Sequence, residues 1–231
     1  MIIEVIIPYL FLFVNRRNSP QTSPVRLRHS CVFKTKVLKF ASLQCYNNFM
    51  RKEVVPSLGE PVGNLWKNLQ SKHTKEGLFF VASPLSSTPL PIYRWIIDNS
   101  EQFANWDKVR FVLMDEMLGG EKPPFRYVPT SDFASYEGFA HRHFLDPLQE
   151  KIGVVVPVLK PEAASIGDFN TEIDLLILAI GVKGNYANVM PGTSEETGWH
   201  VARLLPEFNQ YHESKAYSGS HFREYGMSLG P

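Results

Sequence analysis

Two adjacent acids, Asp115 and Glu116, follow the apolar run Val109-Arg-Phe-Val-Leu-Met114. Acids delivered by a buried strand are candidates for general acid–base work, because burial and mutual proximity shift carboxylate pKa values toward neutrality. Helix capping or a surface pair would use the same residues. A second cluster, Ser86, Ser87 and Thr88, follows the apolar run Leu78 to Ala82 and precedes Pro89. Hydroxyls and free amides at a helix start suit an anion, phosphate above all. Thr88 would be the N-cap with Pro89 in the first turn, although plain capping accounts for Thr88 alone. A third cluster lies in Gly181-Val-Lys-Gly-Asn-Tyr-Ala-Asn-Val-Met-Pro-Gly192, where Gly181, Gly184, Pro191 and Gly192 mark a loop after the aliphatic run Leu175 to Ile180. His141 and His143 are two apart and point in different directions on a helix, so they form no metal pair.

The elements that must position these clusters alternate along the chain. Val62 to Lys75 reads as a helix, Leu78 to Ala82 as a buried strand, and a helix runs from Pro89 through Ile96. Val109 to Met114 is a second strand. Asp132 caps a helix from Phe133 to Leu148. Gly153 to Val158 is β-rich, but Pro157 confines it to an edge. Lys160 to Ile173 is barely long enough for a crossover helix. Leu175 to Ile180, apolar throughout, reads as a strand buried on both faces. This pattern predicts an α/β domain: a three-layer, open, mostly parallel Rossmann-like sheet with helices on both faces. Loops leaving the carboxyl ends of such strands are where ligands bind. No G-x-G-x-x-G, G-x-x-x-x-G-K-[ST], H-E-x-x-H or G-x-S-x-G occurs, so dinucleotide binding, nucleotide hydrolysis, zinc proteolysis and serine esterase chemistry lack support.

The formal net charge of +1 argues against a nucleic-acid-binding surface. Cys31 and Cys45 are the only cysteines, which leaves the later chain without a thiol nucleophile or disulfide framework and fits a reducing, cytoplasmic setting. The apolar stretch Ile2 to Val14 is too short to cross a membrane as a helix, and its positive charges follow the apolar core. Between Asn15 and Lys52 there are nine basic residues and no acid. That composition resembles an organelle transit peptide; an unstructured extension fits as well. Residues 1–50 are expected outside a domain spanning 51–231.

Taken together, the three clusters resemble the glucosamine-6-phosphate isomerase/deaminase and 6-phosphogluconolactonase group. Its first loop, T-G-S-T-P, is Leu85-Ser-Ser-Thr-Pro89 here. Its M-D-E-Y is Met114-Asp-Glu-Met117, followed by Ser135-Tyr136. Its deaminase loop G-x-x-D-G-H-x-A-F-N-E-P-G is matched through Gly181, Gly184, Ala187, Pro191 and Gly192, and its M-T-L-G is similar to Met227-Ser-Leu-Gly230. The resemblance implies a sugar-phosphate isomerase type of fold, a small sugar phosphate bound by Ser86, Ser87, Thr88, Gly181 and Gly184, and proton transfer by Asp115 with Glu116. It allows a homo-oligomer, and the reading includes no cofactor, metal, nucleic acid or membrane span. The Met-Asp-Glu loop with its later Ser-Tyr leans toward the deaminase side, aldose–ketose isomerisation with deamination.

Departures from the pattern predict impaired catalysis. By register Lys183 replaces the loop's acid, Asn185 its histidine and Met190 its glutamate, and neither Asn nor Met exchanges a proton near neutrality. The lactonases use the same histidine. A non-catalytic sugar-phosphate binder is therefore the alternative, with lactone hydrolysis third. Family members also continue with a further strand, so the sheet is expected to be incomplete at its C-terminal side. Glu195, Glu196 and His200 follow the third loop, but no spacing rule places them in a site.

Overall fold

Five strands form the first sheet, in the order β1 (Leu10–Val14), β7 (Leu175–Ala179), β2 (Phe79–Ala82), β3 (Val109–Val112), β6 (Val158–Leu159). The structure, a computed structural model, describes the backbone of Leu10–Val14 and residues 58–179, 187–190, 192–194, 196–204 and 224–230. Strands β7, β2, β3 and β6 run parallel, and β1 lies antiparallel on β7. The expected α/β class with a mostly parallel sheet is thus the one observed. Pro157 sits where expected, beside an edge strand: it lacks a donor, yet its carbonyl accepts from Phe111 N at 2.9 Å.

The helices are α1 (Gly59–His73), α2 (Leu90–Asp98), and a longer one built of α3 (Tyr136–Ala140), a π-helical turn (His141–Leu145) and α4 (Asp146–Ile152). They meet at Phe144, which is 1% exposed. Its ring stacks on Tyr93 at 4.6 Å, meets Trp66 edge-on at 5.7 Å and lies 6.0 Å from Phe111 of the sheet. Helices α1 and α2 approach closely because Gly63 has no side chain; a Cβ there would sit 2.0 Å from the Trp95 ring.

Alternation gives the strands two unequal faces. Phe79, Val81, Val109, Phe111, Leu175 and Ile177 are fully buried, whereas Phe80, Arg110, Leu176 and Leu178 are half-buried. The run from Leu175 is therefore closed on one face, and it sits one strand in from the edge. At the far end of the sheet a buried pair ties α1 to two strands: His73 Nδ1 lies 3.1 Å from Asp174 Oδ1, and Phe80 N donates to Asp174 Oδ2 at 2.9 Å.

Three local expectations are corrected. Helix α2 starts at Leu90 rather than Thr88, with Pro89 in the capping position and no side-chain cap, because Pro89 O already accepts from Ile92 N and Tyr93 N. The third helix starts at Tyr136, since Ser135 Oγ takes Gly138 N at 2.9 Å; Asp132 instead closes the preceding turn by accepting from Ala134 N. The crossover from Lys160 to Ile173 holds a short 3₁₀ turn, Ile166–Asp168. The leader also contributes: the pairing of Leu10–Val14 with β7 runs against the expectation that residues 1–50 lie apart from the domain.

Removing the Phe144 ring takes contacts from both helices and the sheet. Phe144→Ala should cost about 3–5 kcal/mol in urea unfolding; a cost under about 1 kcal/mol, the surface-like range, would show that the helices are held by something else.

Candidate active site

The two acids part company because the chain changes sheets between them and β3. It leaves β3 at Val112, passes through buried Leu113 and Met114, and enters β4 (Asp115–Gly119). This strand belongs to a second, antiparallel sheet ordered β5 (Arg126–Tyr127), β4, β9 (Tyr225–Ser228), β8 (His200–Arg203). Asp115 pairs with Ser228 and Glu116 with Met227, so the Met-Asp-Glu and Met-Ser-Leu segments lie side by side; Leu229 N reaches Met114 O at 2.9 Å. Consecutive strand residues point to opposite faces, and the acids face different surroundings.

Glu116 is fully buried and its carboxylate is saturated. Oε1 accepts from Met117 N at 2.7 Å and Tyr136 N at 2.8 Å; Oε2 accepts from Ser135 Oγ at 3.0 Å and Glu137 N at 2.8 Å. Burial pushes its pKa up, while the bonds from Glu137, Met117, Tyr136 and Ser135 pull it back. Two of its donors are first-turn amides of α3, where a negative charge is favoured by the helix dipole. Glu116, expected to share the acid–base work, therefore caps a helix and fixes Ser135-Tyr136 against the strand.

Asp115 has the opposite character. Its Oδ1 is shut off from solvent and finds no hydrogen-bond partner among the described residues. Desolvation, reinforced by the negative charge of Glu116, pushes the carboxyl up to about 8. An orphaned buried carboxyl oxygen needs an explanation, and a group awaiting substrate supplies one. Tyr93 anchors the start of the first loop: its hydroxyl donates to Pro84 O at 2.8 Å and lies 2.9 Å from Ser83 Oγ. Burial keeps the Tyr93 proton in place, and the charge of Asp115 adds to that hold.

In the first loop Ser86 and Ser87 are exposed and Thr88 is half-buried. The expected ring of free helix amides is absent here: Pro89 and Pro91 have no N–H, Leu90 N bonds Ser87 O at 3.4 Å, and Ile92 N bonds Pro89 O at 2.8 Å. An anion at this loop would rest on the three hydroxyls and the loop's own backbone. In the third loop Gly181, Lys183, Gly184 and Asn185 lie outside the described residues. Met190 is half-buried and packs on the cluster of Met117, Val128, Ala202 and Leu204.

The sequence reading passed over Asn188, which is 2% exposed. It holds φ at +56°, a region Asn tolerates better than most residues, and its Nδ2 donates to Met227 O at 3.3 Å. A Cβ on Gly226 would come within 2.9 Å of that amide nitrogen, so the Asn188–Gly226 contact seats the third loop on β9. The positive φ angles of two adjacent residues, Ala187 and Asn188, are visible only in the backbone. Among the described residues no group of three or more His, Cys, Asp or Glu could hold a metal ion, and no helix is long and apolar enough to cross a membrane.

These features define an α/β protein whose mostly parallel, Rossmann-like sheet hands an unpartnered carboxyl to a small antiparallel one. Similar solved structures include a monomeric glucosamine-6-phosphate deaminase (TM-score 0.52, 16% identity, 74% of this chain and 70% of that one) and the 6-phosphogluconolactonase of Thermotoga maritima (TM-score 0.51, 17% identity, 74% and 72%). In sequence, the 6-phosphogluconolactonase of Caulobacter vibrioides is 28% identical over 130 residues, 53% of this chain. The chain spans about half the length of that curated relative, 50% by the matched stretch. No protein-family model matches the chain. The chain is thus similar in fold to a glucosamine-6-phosphate deaminase and a 6-phosphogluconolactonase, and similar over half its length in sequence to a 6-phosphogluconolactonase.

The raised carboxyl of Asp115 makes a prediction about stability. The folded chain holds this proton up to about 8, whereas an unfolded one releases it near 3.8. The stabilisation is full below the lower value and is lost as pH rises through the higher one. Melting temperature should therefore fall between about pH 4 and pH 8, and Asp115→Asn, which keeps the shape without the charge, should flatten that fall. An unchanged profile in the variant would show that Asp115 is ionised throughout.

Proposed function

We propose that this chain acts on a six-carbon sugar phosphate, with Asp115 as the residue that transfers a proton and with hydrolysis of a phosphorylated sugar lactone as the reaction. The observation that carries this reading is the buried Oδ1 of Asp115, which has no hydrogen-bond partner among the described residues. A carboxyl titrating near 8 is about nine-tenths protonated at pH 7. In that form it can give a proton to a leaving ring oxygen, the task lactone opening requires. The sequence relative bearing a lactonase name supports the same choice.

Isomerisation with deamination of glucosamine 6-phosphate is the second reading. Its support is the Met-Asp-Glu segment bound to Ser135-Tyr136 through Glu116. There Asp115 would have to take a proton from carbon, which needs the ionised form that is scarce at neutral pH. The two readings differ in the sign of their pH dependence: lactone hydrolysis falls as pH passes 8, and deamination rises. In both, Lys183, Asn185 and Met190 stand where the resemblance expects acid–base groups, so turnover should be at least a hundredfold below a typical rate of about ten per second.

The test is to follow acid release from 6-phosphogluconolactone above its spontaneous rate, and ammonia with fructose 6-phosphate from glucosamine 6-phosphate, from pH 6 to pH 9. Asp115→Asn should lower whichever activity is present by about 10²-fold or more. In calorimetry glucose 6-phosphate should bind more than tenfold tighter than glucose, since each charge-assisted hydrogen bond adds about 1.5–3 kcal/mol. Replacing Ser86, Ser87 and Thr88 together by Ala should erase that preference. Absence of both activities together with equal binding of the two sugars would refute the reading.

A further inference from the structure

The second sheet carries three reactive side chains in one row. Asp115 of β4 is directly opposite Ser228 of β9, and Ser228 is directly opposite His200 of β8. Directly opposed residues of antiparallel strands present their side chains on the same face. Two strand spacings separate Asp115 from His200, roughly 10 Å between backbones, a span that a six-carbon sugar can bridge. Ser228 is buried between them, with Oγ accepting from Gly230 N at 3.2 Å.

Two further observations single out His200. Its Nδ1 lies 2.9 Å from Gly198 O, and a carbonyl oxygen only accepts, so Nδ1 carries a hydrogen and Nε2 is the nitrogen that can exchange a proton with a bound group. The third loop reaches the same face of the sheet. The missing side chain of Gly226, two residues along β9 from Ser228, leaves the space that the Asn188 amide enters, and Met190 packs on the cluster that includes Ala202, two residues along β8 from His200. Asn188 and Met190 are thereby seated on the face of the sheet that carries the row ending in His200.

We propose that His200 is the second proton-transfer residue of this site, acting through Nε2 in the role that Asn185 cannot fill. The inference rests on the sugar-phosphate reading above. Nε2 takes a proton from water as the water oxygen bonds to the lactone carbonyl carbon. The bond from that carbon to the ring oxygen breaks, and the departing oxygen takes the proton of Asp115. One water is consumed, the hydroxy acid is released, and exchange with solvent returns the proton from His200 to Asp115.

The experiment uses the full chain with His200→Gln and His200→Ala, assayed on 6-phosphogluconolactone and tested for binding of 6-phosphogluconate by calorimetry. The expected result is a loss of about 10²-fold or more in kcat, affinity within threefold of the unaltered chain, and partial recovery of His200→Ala by added imidazole. Wild-type rates in His200→Gln would overturn the role of His200 while leaving the sugar-phosphate reading intact. An unaltered chain inert on both sugar phosphates would instead overturn that reading. In that case, or where the variants do not fold, the His200 ring signals of the unaltered chain are followed by NMR as 6-phosphogluconate is added. A shift absent with gluconate keeps His200 in the site, and no shift removes it.

Discussion

Four donors converge on the Glu116 carboxylate, and the geometry of the site depends on that convergence. A buried carboxylate is costly unless its oxygens are filled, and here two strand-to-helix contacts, one strand amide and one hydroxyl fill them. The same bonds fix where α3 starts, which direction the third helix leaves in, and how β4 lies against it. Because Glu116 is held, the residue before it has little choice of direction. Asp115 must face the other side of the strand, where its Oδ1 meets no donor among the described residues. One acid is satisfied at the expense of the other.

The switch of sheets at Leu113 and Met114 makes that division possible. Had β3 continued, both acids would have emerged from the parallel sheet into a loop, free to share solvent and cations. Instead they enter an antiparallel ladder at its first residues, where alternation is enforced by pairing with Ser228 and Met227. The raised carboxyl of Asp115 follows from this placement: burial supplies most of the push, and the neighbouring fixed charge supplies the rest.

Much of the first sheet was legible from apolar runs, because parallel strands under helices are apolar over their whole length. Phe79–Ala82 and Val109–Val112 are found within one or two residues of the expected bounds, and Pro157 marked the edge. Asp115 could be singled out as a candidate from its place after such a run. What could not be read is how the two acids divide their tasks, since that is decided by Ser135, Tyr136 and Glu137, about twenty residues further along. The second sheet was equally hidden. Its strands are short, contain Gly and charged residues, and acquire meaning only through pairing between Met114-Asp-Glu and Met227-Ser, far apart in the chain. The cap at Thr88 failed because Pro91 and the Pro89 carbonyl already organise that turn.

Strand β1 has a consequence for the order in which this sheet assembles. Leu10 pairs with Ala179 and Val14 with Leu175, so β1 joins a strand that lies far along the chain from it. Closing so long a loop carries an entropic cost that grows with its length, and non-local strand pairing is slow for that reason. Until it pairs with β7, the LFLFV segment is open to other strands and has a sequence with high strand propensity. The basic, acid-free stretch that follows it in sequence puts like charge on every copy of the chain next to that segment, which opposes pairing between unfolded chains.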